Sequence, residues 1–300
     1  MIAFPLTGWI GLGSMGLPMA TNLLRAGVPL TLFNRTGSRA EPLQQQGARL
    51  TASPRQLAEA VELLMLCVSD APDVEAVLFG ADGAAWGLRP GSLVIDCSTI
   101  APERTRAFAQ RLSGRGVDWV DAPVTGGTEA AAAGSLTVLL GGEPGAVARA
   151  RPLLAVLASN LAHFGLVGAG QQAKAVNQVL VAGSYAAVAE AMALGEGMGL
   201  PMEQVITALQ TGAAGSWGLG HRGASMLERS FPLGFRLRLH RKDLGIALAE
   251  AEARGLDLPI SRLVAALEDR LIDQGYGDED VSALARAVMP PSSGTKSSQP

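Results

Sequence analysis

The chain is poor in cysteine and histidine and has no strong excess of either charge, and each shortage removes a class of function. Cys67 and Cys97 are its two cysteines. Each closes a β-like apolar run, so they read as buried reduced thiols, not as a disulfide framework or a metal site, and the expected compartment is the cytoplasm. The three histidines, His163, His221 and His240, have no partners at the spacing of a metal site or a catalytic triad. Each is expected to be structural or at the surface, and no metal is expected. The carboxylates show no paired-acid arrangement. With 24 basic and 27 acidic residues well mixed, the net charge is −3, so no basic field draws nucleic acid or an anionic membrane. The N-terminus lacks a basic n-region and a cleavage pattern. Every apolar run that approaches the roughly 18 residues of a membrane span is interrupted by a polar or charged group. A small-molecule partner is therefore expected, with neither nucleic acid nor membrane.

Glycine is plentiful, at 37 of 300 residues, so a G-x-G-x-x-G counts for little until its surroundings are known. Up to about residue 165 short β-like runs alternate with helix-length segments, the pattern of βα units on a parallel sheet. Strands are expected at 7–10, 30–33, 63–68, 93–96, 117–121, 136–140 and 160–164, and helices at 15–26, 39–46, 55–60, 74–79, 102–115 and 145–158. Pro54 and Pro102 stand just inside helix starts, with Ser53 and Thr99 as candidate caps. After "GLVGAGQQ" the strands stop, and 171–288 shows only helical patterns punctuated by Gly or Pro. The expected fold is an α/β Rossmann domain over 1–168, then an all-α domain over 169–289 that opens with a long interdomain helix. The tail 290–300, "PPSSGTKSSQP", has little to bury and is expected to be disordered. The segment 171–198 is long for a globular helix and apolar on every side, so burial between domains or subunits is expected, and with it a homodimer or homotetramer.

In this setting "WIGLGSMGLPMATNLLRAG" gains force, because a strand ends at Gly11 and a helix starts near Met15. Gly11 suits the tight turn, Gly13 the approach of backbone to a pyrophosphate, and Gly16 the packing of helix on strand. The helix N-terminus then offers N–H groups to an anion. About 20 residues further on, where an NAD enzyme places an acid on the ribose, stand Asn34, Arg35 and Thr36. No carboxylate there repels a 2′-phosphate and Arg35 can bond one, so NADP(H) is preferred and NAD(H) is the alternative.

Three further stretches carry polar groups that could do chemistry. In "DAPVTGGTEAAAAGSL" the hydroxyl of Thr125 and the backbone of Gly126 and Gly127 could cradle a carboxylate, or could be an ordinary turn. In "GAGQQAKAVNQ" Lys174, Asn177 and Gln178 fall at i, i+3 and i+4 on one helix face. Polar groups there are costly to bury unless paired. A desolvated lysine suits proton transfer; a snorkelling lysine beside an interfacial amide pair fits the spacing equally. In "RKDLGIALAEA" Lys242 and Asp243 open a helix and need no function beyond its N-terminal turn.

Together "GLGSMGLPMATNLLRAG", "NRT", "DCSTIAP", "DAPVTGGTEAAAAGSL", "GAGQQAKAVNQ" and "RKDLGIALAEA" resemble the β-hydroxyacid dehydrogenase family, over nearly the whole chain. That group includes 3-hydroxyisobutyrate dehydrogenases, tartronate semialdehyde reductases, and glyoxylate and succinic semialdehyde reductases. The resemblance implies hydride transfer between NADPH and a small aldehyde acid, with Lys174 as the catalytic acid and base. It implies that Gly11, Leu12, Gly13, Ser14, Met15 and Gly16 hold the pyrophosphate and that Asn34, Arg35 and Thr36 surround the adenosine ribose. It places Val68, Ser69, Thr99, Lys242 and Asp243 at the cofactor. Thr125, Gly126, Gly127, Asn177, Gln178 and Lys242 would hold the substrate, and Thr128, Trp217 and Phe235 would shape its pocket. Thr125 stands where serine is commoner, and Gln178 stands where many members have a second Asn; with its glutamine the chain looks closest to the tartronate semialdehyde reductase branch. The rival readings are a non-catalytic NADP-binding interaction module, an imine reductase and a 6-phosphogluconate dehydrogenase; a lysine at 174 counts against the first two.

Overall fold

The computed structural model describes residues 4–289, so the tail expectation for 290–300 lies outside the described residues. The chain divides into two compact units, Met1–Lys174 and Ala175–Pro300, and the dividing line falls inside one helix.

The first unit runs β1 (Thr7–Ile10), α1 (Gly16–Arg25), β2 (Leu30–Phe33), α2 (Glu41–Gln44), β3 (Arg49–Leu50), α3 (Pro54–Glu59), β4 (Leu63–Leu66) and α4 (Ala71–Phe79). It continues with β5 (Leu93–Asp96), α5 (Pro102–Ser113), β6 (Asp118–Asp121), β7 (Val124–Thr125), α6 (Gly127–Ala133), β8 (Leu136–Gly142), α7 (Pro144–Leu157) and β9 (Ala158–Gly165). Among the described residues these strands form one sheet in the order β3-β2-β1-β4-β5-β6-β8-β7, with β9 paired to β8. The first six strands are mutually parallel. Their order places the topological switch between β1 and β4, where an open α/β sheet binds its ligand.

The sheet is a Rossmann sheet with helices on both faces, because its central strands are apolar on both sides. Trp9, Met65 and Ile95 enter one core, while their neighbours Ile10, Leu64, Leu66 and Val94 enter the other. Helix α1 buries Gly16, Met19, Ala20 and Leu23 at i, i+3, i+4 and i+7. Ser53 caps α3 through the Gln56 N–H, whereas α5 starts after Ala101 with no side-chain cap, so Thr99 has no capping role.

Two features depart from the strands and pairing expected. The two-residue strands β3 and β7 are too short to leave an alternation. Strand β8 runs antiparallel to β6, pairing Val120 with Gly142 and Asp121 with Gly141. An apolar run carries no direction of its own, so only the pairing of "LTVLLGG" fixes it.

The second unit is helical, with α8 (Ala169–Gly197) entering from the first, then α9 (Met202–Leu209), α10 (Trp217–Leu227), α11 (Leu237–Glu252) and α12 (Pro259–Asp273). Tyr185, Met192, Leu219, Leu244, Val264 and Leu271 lie in its core. Buried polar groups interrupt that core. His240 on α11 bonds Glu268 on α12, both fully buried. Asp280 takes N–H bonds from Gly234, Phe235 and Ser282 and an ion pair from Arg222. By length and composition α8 is apolar enough to cross a membrane, a property that core helices of soluble proteins share. Val176, Leu180 and Leu194 on it are exposed.

Candidate active site

The glycine loop sits at the switch point, and the protein itself dictates two of its three glycines. A Cβ on Gly11, whose φ is +101°, would stand 2.1 Å from the Cys67 carbonyl oxygen. One on Gly16 would stand 2.0 Å from the Gly11 carbonyl oxygen. These two positions let β1, β4 and α1 converge. A Cβ on Gly13 would meet nothing within 4 Å, so no protein contact demands glycine there, and the side chain it lacks would project into the cradle. No side chain caps the N-terminus of α1, which leaves its first turn suited to an anion. Ser14 at the loop apex is exposed and Met15 precedes the helix.

Asn34, at the end of β2, shapes this loop directly. Its side-chain oxygen accepts from the Leu12 N–H at 2.9 Å and its amide donates to the Thr36 carbonyl at 2.8 Å. Arg35 extends into solvent with its side chain 91% exposed and approaches Asp73 only at 3.7 Å. An exposed pair at that distance contributes little and leaves the guanidinium available. With backbone amides at the loop and a cation where an acid would select NAD, the residues present fit a dinucleotide.

The ends of β4 and β5 are tied together beside this loop. The Val68 N–H donates to Ser98 Oγ at 3.0 Å, and the Ser98 N–H to Asp96 Oδ1 at 2.9 Å. Ser69 is exposed and Thr99 half-buried at the carboxyl ends of these strands. Both cysteines close strands here, and burial pushes the Cys67 thiol up to about 12 and Cys97 well up also. They are not activated nucleophiles. After β6 the "TGG" turn uses two positive φ angles, +131° at Gly126 and +72° at Gly127, which suit glycine and aim the backbone beside Thr125. A Cβ at Gly126 would fall 2.6 Å from that of Ala130. Thr125, Gly126, Gly127 and Thr128 are all partly exposed.

Lys174 is buried, 6% exposed, in the second turn of α8. In the second unit the other expected polar residues form one network. Asn177 Nδ2 donates to Gln178 Oε1 at 2.7 Å, and Gln178 Nε2 donates to Asp243 Oδ2 at 2.7 Å. The other Asp243 oxygen lies 3.0 Å from Lys242 Nζ. The Asp243 carboxylate thus accepts a hydrogen bond on Oδ2 and meets an ammonium as an ion pair on Oδ1. Of the expected pocket residues in this unit, Trp217 stacks on His221 with ring centroids 4.3 Å apart, and Phe235 meets His240 edge-on.

Two buried anchoring positions beside these strand ends went unread in the sequence. Asp121 and Gln171 are buried and join the start of α8 to the strand ends. A carboxylate inside a strand end and a glutamine between "GAG" and the lysine were the available signals, but nothing local names their partners.

Comparison with known proteins places the chain in a family. Residues 7–165 match the family described as the NAD binding domain of 6-phosphogluconate dehydrogenase. Residues 168–288 match the NAD-binding family of NADP-dependent 3-hydroxyisobutyrate dehydrogenase. The chain is 38% identical over 281 residues to the 2-hydroxy-3-oxopropionate reductase of Escherichia coli, covering 94% of this chain and 96% of that one. It is 37% identical over 289 residues to an NAD-dependent L-serine dehydrogenase of Pseudomonas aeruginosa, covering 94% and 97%. The crystal structure of a 3-hydroxyisobutyrate dehydrogenase from Salmonella typhimurium superposes with a TM-score of 0.85 at 33% identity, covering 93% of this chain and 98% of that one. With both halves of the chain matched and relatives above 30% identity covering almost its whole length, the chain belongs to the β-hydroxyacid dehydrogenases, NAD(P)-dependent enzymes that act on CH–OH groups.

Proposed function

We propose that the protein interconverts a small β-hydroxyacid and its aldehyde acid with NADP(H), and that its substrate is of the tartronate semialdehyde (2-hydroxy-3-oxopropionate) or 3-hydroxyisobutyrate kind. The observation that carries this reading is the burial of Lys174 on α8, the helix that also carries Asn177 and Gln178, whose side chains bond each other and the Asp243 carboxylate. A desolvated lysine three residues from an ordered amide pair on the same helix suits proton transfer to and from a carbonyl oxygen.

The nicotinamide, when bound, supplies the hydride to the carbonyl carbon. Lys174 Nζ donates the proton to the carbonyl oxygen as negative charge builds there, and in the oxidative direction takes it back. Asn177 orients that lysine. Gln178 and Lys242 bind the polar groups of the substrate, and Thr125 with the amides of Gly126 and Gly127 binds its carboxylate. The methyl of Thr125 narrows the carboxylate site relative to serine. Asn34, Arg35 and Thr36 favour a 2′-phosphate over a bare ribose, which supports NADPH. We assign the exposed Val176, Leu180 and Leu194 of α8 to an interface with a second copy, which sedimentation at micromolar concentration reads.

One assay set tests the reading. Tartronate, methylmalonate and succinic semialdehydes and glyoxylate are offered with NADPH and with NADH to the wild type and to Lys174→Ala. NADPH turnover of at least one aldehyde acid is expected, with a kcat loss of about 10²- to 10⁴-fold in the variant and unchanged NADPH binding. A variant that keeps most of its kcat sinks the role of Lys174, and a clear NADH preference sinks that of Arg35.

A further inference from the structure

Gln171 stands one turn before Lys174 on α8, and its side chain is buried at 1% exposure. Its carboxamide makes two bonds. Nε2 donates to the Ser98 carbonyl at 2.8 Å, and Oε1 accepts from the Ile100 N–H at 3.2 Å. These are the two peptide groups that flank Thr99. They lie beyond the end of β5, whose pairing with β4 closes at Asp96 and with the Cys97 N–H on the Leu66 carbonyl. Past that point the sheet ladder supplies no partners, and the glutamine side chain takes the place of a neighbouring strand.

The backbone beneath Gln171 is held as firmly. The Asp121 carboxylate, at the end of β6, accepts from the Gly168 N–H at 2.8 Å and the Gln171 N–H at 3.0 Å. Its fit needs glycine on two sides, since a Cβ on Gly141 would lie 2.6 Å from both of its oxygens and one on Gly170 would lie 2.8 Å from Oδ2. The start of α8 is therefore pinned at its backbone by Asp121 and at its side chain by Gln171.

We propose that Gln171 is a positioning residue: by clasping both peptide groups around Thr99 it holds the first turn of α8, and with it Lys174, in fixed register with the β5–α5 loop. The proposal rests on the reading that Lys174 moves the proton and that Thr99 lies beside the nicotinamide. Gln171 touches neither substrate nor cofactor; it sets the separation of two elements that do. A displacement of about 1 Å at such a distance costs on the order of 10²-fold in rate, because the reacting groups leave the near-attack geometry.

The test compares Gln171→Leu, Gln171→Glu and Lys174→Ala with the wild type in kcat, KM, NADPH dissociation constant, melting temperature and pH–rate profile. Gln171→Leu keeps the bulk and loses both bonds; its kcat is expected to fall about 10- to 100-fold while the NADPH dissociation constant stays within about threefold. Gln171→Glu keeps the acceptor for Ile100 but sets an oxygen against the Ser98 carbonyl. Its kcat is low at neutral pH and recovers toward wild type as pH falls and the protonated carboxyl donates again, a recovery that a filler of space does not show. Wild-type kcat in Gln171→Leu beside an inactive Lys174→Ala overturns the positioning role alone. So does a pH-independent loss in Gln171→Glu, or a parallel loss of NADPH binding and melting temperature in both Gln171 variants. Full turnover in Lys174→Ala removes the catalytic reading beneath the proposal, and the proposal with it.

Discussion

Gln178 and Asp243 meet through a 2.7 Å bond from Nε2 to Oδ2, and that contact sets the direction of the amide chain behind it. An ionised carboxylate only accepts. Gln178 must therefore turn its N–H toward Asp243 and its oxygen toward Asn177, whose own N–H is used at 2.7 Å. Lys242 Nζ, 3.0 Å from Asp243 Oδ1, balances the carboxylate.

Asp243→Asn removes the acceptor-only end and lets the amides reverse. Charge-assisted bonds of this kind contribute roughly 1.5–3 kcal/mol, so kcat/KM is expected to fall about 10- to 100-fold. Steady-state kinetics on the preferred aldehyde acid checks it. An unchanged kcat/KM would show that the order of the amides does not matter.

The glycine loop separates fold from cofactor. Gly11→Ala drives a Cβ into the Cys67 carbonyl at positive φ, so a loss of about 1–3 kcal/mol in unfolding free energy is expected. Gly13→Ala meets no protein atom within 4 Å. Its melting temperature should match the wild type while its NADPH dissociation constant rises at least about tenfold, since the backbone can no longer approach the pyrophosphate closely. Equal cofactor affinity in Gly13→Ala and the wild type, read by fluorescence titration, contradicts the placement of the pyrophosphate there.

Asp121 gives a pH dependence of defined sign. Burial raises its carboxyl above the ordinary 3.8, and the N–H bonds from Gly168 and Gln171 pull it only part of the way back. Over the window from 3.8 up to the raised folded value, the folded chain holds a proton that the unfolded chain has released. The contribution of Asp121 to stability therefore falls as pH rises through that window. Asp121→Asn has no such titration, so the unfolding free energy of the wild type minus that of the variant should decline as pH rises from 3.8. Urea denaturation across the window measures it, and a flat or rising difference refutes the account.

How much of this was legible follows the range of each interaction. Alternating runs and glycine punctuation announced the βα units and the change of class, because a strand or an amphipathic helix is specified by residues next to one another. Ser53 as a cap was readable for the same reason; Thr99 was not a cap, because α5 begins after Ala101. The stretch "DAPVTGG" showed a turn, but not that β8 would run back against β6. The buried pair His240–Glu268 joins residues 28 apart on two helices, and neither stands out in a sequence where histidines carry no metal spacing.

The sequence by itself determined the Rossmann order of elements, the glycine loop, the missing ribose carboxylate and a lysine with two amides on one helix face. Those are matters of local spacing and residue type. Only the tertiary structure decided that Asp121 and Gln171 anchor the lysine's helix, that Gln178 points its N–H at Asp243, and that Asn34 supports the loop. Such bonds join residues 22 to 73 positions apart, and which donor meets which acceptor is settled only when the packed core brings the strand ends and helices together.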